Sequence, residues 1–319
     1  MHCRDGSELT GISAGFDADV SKIAIGTGAG TNSQGAQGIA IGLNAGSASQ
    51  GISCVAIGYE TAKNSQGNNS IAIGNSAGSN SQGVMAVAVG YAAGQNAQIT
   101  EAVAIGNEAG CNAQGQGGVA IGKLAGCADQ ANDSIAIGTR AGRVNQQNGS
   151  VAIGTNAGSN VQGTNSVAIG TNTGCGDQAA NTVAIGNSAG CNAQGAEAIA
   201  IGYHAGKNSQ GTQAVAIGDI CGVSGQSQAC TSVGRMAGQY NQQYYAVAVG
   251  VVSANTGQGT TAVAIGYGAG YQNQGNKSIA LGDSAGFYNQ AASSFCVGMN
   301  SIRNQNGSYY MRYSVNTGE

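Results

Sequence analysis

A glycine stands at every sixteenth residue from Gly26 to Gly298, 18 positions in all, with no insertion or deletion between them. Each glycine closes a short phrase, clearest as Ser166-Val167-Ala168-Ile169-Gly170. It returns as Ser134-Ile135-Ala136-Ile137-Gly138, Ser150-Val151-Ala152-Ile153-Gly154 and Ser278-Ile279-Ala280-Leu281-Gly282. Self-similarity at one fixed period restricts a chain to a solenoid, in which each repeat is one coil stacked on its neighbours. A length of 319 residues would otherwise suggest two domains, whereas a solenoid is one repeat domain at any length.

Stacking the rows of 16 gives columns, numbered here by their first member. Columns 23 and 25 are large and aliphatic: Ile23, Ile39, Val55, Ile71 and Ile25, Ile41, Ile57, Ile73, onward. Two residues apart, they share one face of a strand. Glycine columns 26, 30 and 35 divide the coil, and each is expected to form a corner, because glycine reaches positive φ without steric cost. Column 30 departs from glycine at Ala62, Ala254 and Ile302. Recurrent glycine and the absence of a 3.6-residue period exclude helix. The expected fold is an all-β parallel β-solenoid (a β-roll) of about 18 coils, 16 residues per coil.

The columns also divide into restricted and free. Column 24 is alanine in 16 of 18 rows, and column 29 holds only Ala, Thr, Ser or Cys. Column 27, by contrast, reads Thr27, Leu43, Tyr59, Asn75, Tyr91, Asn107, Lys123, which marks solvent. Both faces of the strand are therefore restricted. The expectation is that Val167, Ile169 and their equivalents fill the coil's own core. Ala152, Ala168 and Ala184 would then lie against a second chain, where small side chains permit close approach. Column 34 is glutamine in 17 consecutive rows, including Gln34, Gln50, Gln66, Gln82, Gln162, Gln194 and Gln290. Stacked at about 4.8 Å, such amides can form a hydrogen-bonded ladder and satisfy backbone groups at the adjacent corner.

The periodic part divides the chain into an N-terminal cap at 1–21, a repeat domain at 22–306, and a C-terminal cap or linker at 307–319. Only 8% of residues are charged and the net charge is −3, so the basic footprint of a nucleic-acid binder is absent. The opening Met1-His2-Cys3-Arg4-Asp5 shows no apolar run of a secretory signal. No segment has the apolar length of a membrane-spanning helix.

The phrase Asn165-Ser166-Val167-Ala168-Ile169-Gly170 resembles the head repeat of YadA-type trimeric autotransporter adhesins. That resemblance implies a left-handed, homotrimeric β-roll at a cell surface. The period of 16 exceeds the 14 usual in that family. The longer phrase Ala152-Ile153-Gly154-Thr155-Asn156-Ala157-Gly158, followed by Gln162-Gly163, is similar to repetitive fibre-like proteins of large DNA viruses and phages. This second resemblance implies a virion-surface location.

Little in the sequence suggests chemistry. Histidine occurs only at 2 and 204, and no nucleophile, histidine and acid form a constellation. Gly26-Thr27-Gly28-Ala29-Gly30 lacks the lysine and helix of a phosphate loop. No CxxC zinc motif is present, so neither metal nor cofactor is expected. Cys54, Cys221, Cys230 and Cys296 replace small residues in restricted columns and should be buried and inert. Cys111 and Cys127 share a turn column on adjacent rows, as do Cys175 and Cys191, at a spacing that admits cross-rung disulfides. Tyr240, Tyr244, Tyr245, Tyr271 and Tyr288 cluster late in the chain as candidate contacts for a host glycan or surface receptor.

The sequence therefore points to a non-enzymatic structural fibre or surface protein, a stiff homotrimeric solenoid, with a viral fibre that attaches to a host as the leading reading. The alternatives are a bacterial adhesin head and an ice-binding type of solenoid with its flat Ala/Ser face exposed.

Overall fold

The computed structural model describes residues 21–298. The expected N-terminal cap at 1–21, save for Ser21, and the expected C-terminal cap at 307–319 lie outside the described residues, as does the last row's Asn306. The chain divides at Asn181–Thr182 into two units.

In the first unit, ten three-residue strands from Ile23–Ile25 to Val167–Ile169 pair in parallel, each with the strand 16 residues on. The register places like on like: Ile23 opposite Ile39, Ala24 opposite Ala40, Ile25 opposite Ile41. A second parallel sheet of five strands runs from Asn80–Gln82 to Val144–Gln146. The second unit repeats the plan. It has eight strands from Val183–Ile185 to Phe295–Val297 and six from Asn192–Gln194 to Gln272–Gln274. No helix occurs among the described residues.

Two tight turns join the sheets of each coil. In the first, Ala109 N–H donates to Gly106 O at 3.4 Å; in the second, Gly118 N–H donates to Gly115 O at 3.1 Å. Gly106 has φ +129°, and a Cβ there would lie 2.8 Å from the carbonyl oxygen of Gly122 on the next rung. Positive φ and close approach together exclude any other residue. The expectation for column 35 is corrected. Its glycines do not adopt positive φ; that conformation falls two residues later, as at Asn69 (φ 58°), Asn165 (φ 54°) and Glu197 (φ 59°). Close approach favours glycine at single rows of column 35, since a Cβ on Gly67 would lie 2.6 Å from Gly83 C on the following rung, but the column also accepts Ile99, Ala131 and Gln147.

The expected inside and outside of the strand are reversed. Ala40, Ala56, Ala72 and Ala88 are fully buried, as are Ala200, Ala216, Ala248 and Ala264 in the second unit. They form the core with column 29, for example Ala45, Ala77, Ala205 and Ala237. The flanking aliphatics face outward: Ile71 and Ile73 are each 37% exposed and Ile265 is 42% exposed. The reason is width. With two tight turns in 16 residues, the sheets lie so close that a Cβ on Gly110 would already be 3.3 Å from the Cβ of Ala104. An isoleucine cannot enter such a gap, and an alanine fills it.

Candidate assembly and binding surfaces

Because columns 23 and 25 point outward, each rung presents two aliphatic side chains on the same face. In the first unit ten successive rungs carry such a pair, over roughly 40 Å at the spacing of a sheet. In the second unit eight rungs do so, with Thr231 and Phe295 as variants of the pattern. Continuous apolar surface of this kind is a candidate association site. Sequence reasoning missed it by ranking isoleucine above alanine for burial.

The residues expected to meet a second chain take the opposite position. Ala152, Ala168 and Ala184 are fully buried within the single chain. The Ser/Ala face required by an ice-binding surface is likewise interior: Ser134, Ser150, Ser166 and Ser278 are all 0% exposed. Ser166 Oγ–H donates to Gly163 O at 2.5 Å within its own turn.

The glutamine column lines the same interior. Gln34 Nε2–H donates to Ile23 O (2.8 Å) and Gly38 O (2.9 Å). Gln50, Gln66 and Gln82 donate to Ile39 O, Val55 O and Ile71 O at 2.8–2.9 Å. Gln162, Gln194 and Gln290 make the same bond to Val151 O, Val183 O and Ile279 O. Each amide thereby ties the 31–34 side of its coil to the strand opposite. Rung-to-rung bonds join part of the column, such as Gln82 Nε2–H to Gln98 Oε1 (3.3 Å) and Gln98 Nε2–H to Gln114 Oε1 (3.1 Å). A second amide ladder runs outside, in column 32: Asn80 Nδ2–H donates to Asn96 Oδ1 at 2.8 Å, and Asn96 likewise to Asn112 at 2.9 Å. The recurrence of asparagine in that column was its readable signal.

The late aromatics form separate groups. Tyr271 stacks on Phe287 with centroids 4.6 Å apart and planes at 13°, and Tyr288 meets Phe287 edge-on at 4.6 Å. Tyr244 and Tyr245 are 6.4 Å apart and exposed at a turn. Tyr240, also exposed, accepts at its hydroxyl from Gln239 Nε2–H (3.2 Å). On the first turn His204 stacks on Tyr203 at 3.9 Å. Desolvation, then Lys207, lowers its pKa from the ordinary 6.5.

The cysteines divide as chemistry requires. Cys54, Cys221, Cys230 and Cys296 are buried free thiols. Burial pushes Cys221 up to about 12 and raises Cys230 as well. Cys175 and Cys191 are disulfide-bonded, whereas Cys111 and Cys127 are free thiols. Among the described residues no group of three or more His, Cys, Asp or Glu could hold a metal ion, and no helix is long and apolar enough to cross a membrane.

No curated protein and no solved structure matches the chain. Residues 146–173, which span the phrases Val151-Ala152-Ile153-Gly154 and Val167-Ala168-Ile169-Gly170, match two copies of the YadA head domain repeat, so this β-solenoid carries YadA-like head repeats.

Proposed function

We propose that the chain is a non-enzymatic, surface-displayed module of the adhesin-head type, a homotrimer in which the Ile/Val stripes of three copies meet on a common axis. The observation that carries this reading is the outward direction of columns 23 and 25, as at Ile169 (36% exposed) and Ile185 (36% exposed). Aliphatic burial is worth about 25 cal/mol per Å², and a stripe repeated on every rung gains that on each rung when covered. The stripe is two side chains wide and bounded by turns. Three narrow edges can converge on one axis, where two broad faces could not be built. The head-repeat match at 146–173 supports the adhesin-head reading over the viral fibre. The free columns outside the stripe, including Tyr240, Tyr244 and Tyr245, would then meet the attachment target.

Sedimentation equilibrium of the full chain tests the assembly. A particle of three chains is expected at micromolar concentration. A monomer that binds a hydrophobic dye along the uncovered stripe would sink the proposal.

A further inference from the structure

Cys111 and Cys127 lie at the same position of successive rungs. Their neighbours Asn112 and Ala128 are register partners, and Asn112 N–H donates to Cys127 O at 2.9 Å. In-register parallel neighbours lie about 4.8 Å apart, inside the Cα separation that a disulfide spans. Cys111 Sγ–H donates to Cys127 O at 3.3 Å, and Asn112 Nδ2–H donates to Cys111 Sγ at 3.4 Å.

The pair is polarised. Cys111 is buried and Cys127 half-buried, so an incoming reagent meets Cys127 first. Arg143 occupies the same column one rung further on. Cys175 and Cys191 have the same column and the same 16-residue spacing, and they are disulfide-bonded. Their column continues to Lys207, a cation in the place that Arg143 holds beside Cys127.

We propose that Cys111 and Cys127 form an oxidisable dithiol that closes to a cross-rung disulfide by exchange with an external disulfide of the glutathione class, Cys127 attacking and Cys111 resolving. In the first step the Cys127 thiolate attacks one sulfur of R–S–S–R. A Cys127–S–S–R bond forms, the S–S bond of the reagent breaks, and RS⁻ leaves and takes a proton. In the second step Cys111 loses its proton to solvent and attacks Cys127 Sγ. The protein disulfide forms and a second RS⁻ leaves and is protonated. Two protein thiols give up two electrons and two protons, and the reagent is reduced to two thiols.

The electrostatics agree with that order. The Cys111 thiol beside it is the main cause that holds Cys127 below the ordinary thiol value, with Arg143 assisting against burial and Glu108. Cys111 is shifted upward by the neighbouring Cys127 and by burial. The nucleophile is therefore the thiolate nearer solvent. The proposal does not depend on the trimer.

The test uses the full chain in anaerobic mixtures of reduced and oxidised glutathione, quenched in acid, alkylated and mapped by mass spectrometry. The expected product is a linked Cys111–Cys127 peptide pair. The Cys111→Ser variant should accumulate Cys127 as the glutathione mixed disulfide. The Cys127→Ser variant should leave Cys111 alkylatable, and Arg143→Gln should slow modification of Cys127 near pH 7. If both thiols stay alkylatable in the wild type while Cys175 and Cys191 are recovered as disulfide in the same sample, the proposal is overturned. It is equally overturned if Cys127 is recovered joined to Cys54 or Cys230 instead, or only as a persistent mixed disulfide. Amide exchange at residues 112–128 should slow on oxidation, which separates a cross-rung bond from modification of a single thiol.

Discussion

Gln114 occupies the space that a side chain on Gly110 would need: a Cβ on Gly110 would lie 2.6 Å from Gln114 Oε1. From there Gln114 Nε2–H donates to Val103 O at 2.8 Å and to Gly118 O at 3.0 Å. One glycine thus admits one buried amide, and that amide joins the two sides of a coil.

The two glycine columns of the first turn should differ in tolerance. Gly110 has φ +51°, and the atom in its way is the end of a side chain. Gly110→Ala should cost about 1 kcal/mol, the price of a left-handed alanine. The alanines already at Ala62 (φ 46°) and Ala254 (φ 44°) indicate that the conformation is accessible. Gly106→Ala should cost roughly 3 kcal/mol or more, because φ is +129° and the obstruction is backbone. Amide exchange of the flanking rungs would report the difference. Equal protection in the two variants would refute this account of the turn.

Replacing Gln114 by leucine keeps the volume and removes the bonds to Val103 O and Gly118 O and the one accepted from Gln98 Nε2–H. At about 1 kcal/mol for each net bond, the variant should lose roughly 3 kcal/mol locally. Faster exchange confined to Gln98–Gly118 is expected, since solenoid repeats contact only their neighbours. Uniform loss across the chain would contradict a local tie.

Ala168 and Ile169 should respond in opposite ways to the same substitution. Ala168 is fully buried, and its Cβ is 3.3 Å from where a Cβ on Gly174 would stand. Ala168→Glu should therefore damage the coil itself, reducing the β signal in circular dichroism. Ala168→Leu should cost on the order of 1–3 kcal/mol by overpacking. Ile169→Glu should keep the β signal and dissociate the assembly, because that side chain points outward. Should Ala168→Glu leave the rung folded, the inward orientation of column 24 is wrong.

His204 provides a pH test with a defined sign. Desolvation and then Lys207 lower its pKa, outweighing the opposing pull of Asp219. A base whose folded pKa is depressed binds its proton less well when folded. Its contribution is therefore complete above the unfolded value of 6.5 and declines as pH falls through the lower folded value. An NMR titration of the imidazole should show a midpoint below 6.5, shifted upward in Lys207→Met. A midpoint at or above 6.5 in the wild type would disprove it.

Much of this was readable from the residues. Gly106, Gly122 and Gly138 reveal the period, and the period alone dictates parallel, in-register stacking. The Gln114 column was legible as an amide ladder that satisfies backbone groups, from its 17 consecutive copies, but not as an interior one, since asparagine also repeats on the outside at Asn80, Asn96 and Asn112. Cys54 and Cys230 were placed in buried columns because they substitute for small residues there. The disulfide state was not readable. Cys111/Cys127 and Cys175/Cys191 share one spacing, yet only the latter two are disulfide-bonded.

What the sequence determined by itself is the unit: a 16-residue coil with a short strand, glycine turns and a glutamine in register on 17 consecutive rungs. Which face of Val167-Ala168-Ile169 turns inward was decided only by the tertiary structure. A period of two separates Ala168 from Val167 and Ile169 and assigns neither side to the core. The assignment comes from the distance between the two sheets, which the turns at Gly154 and Gly163 hold too short for an isoleucine and wide enough for an alanine beside a glutamine.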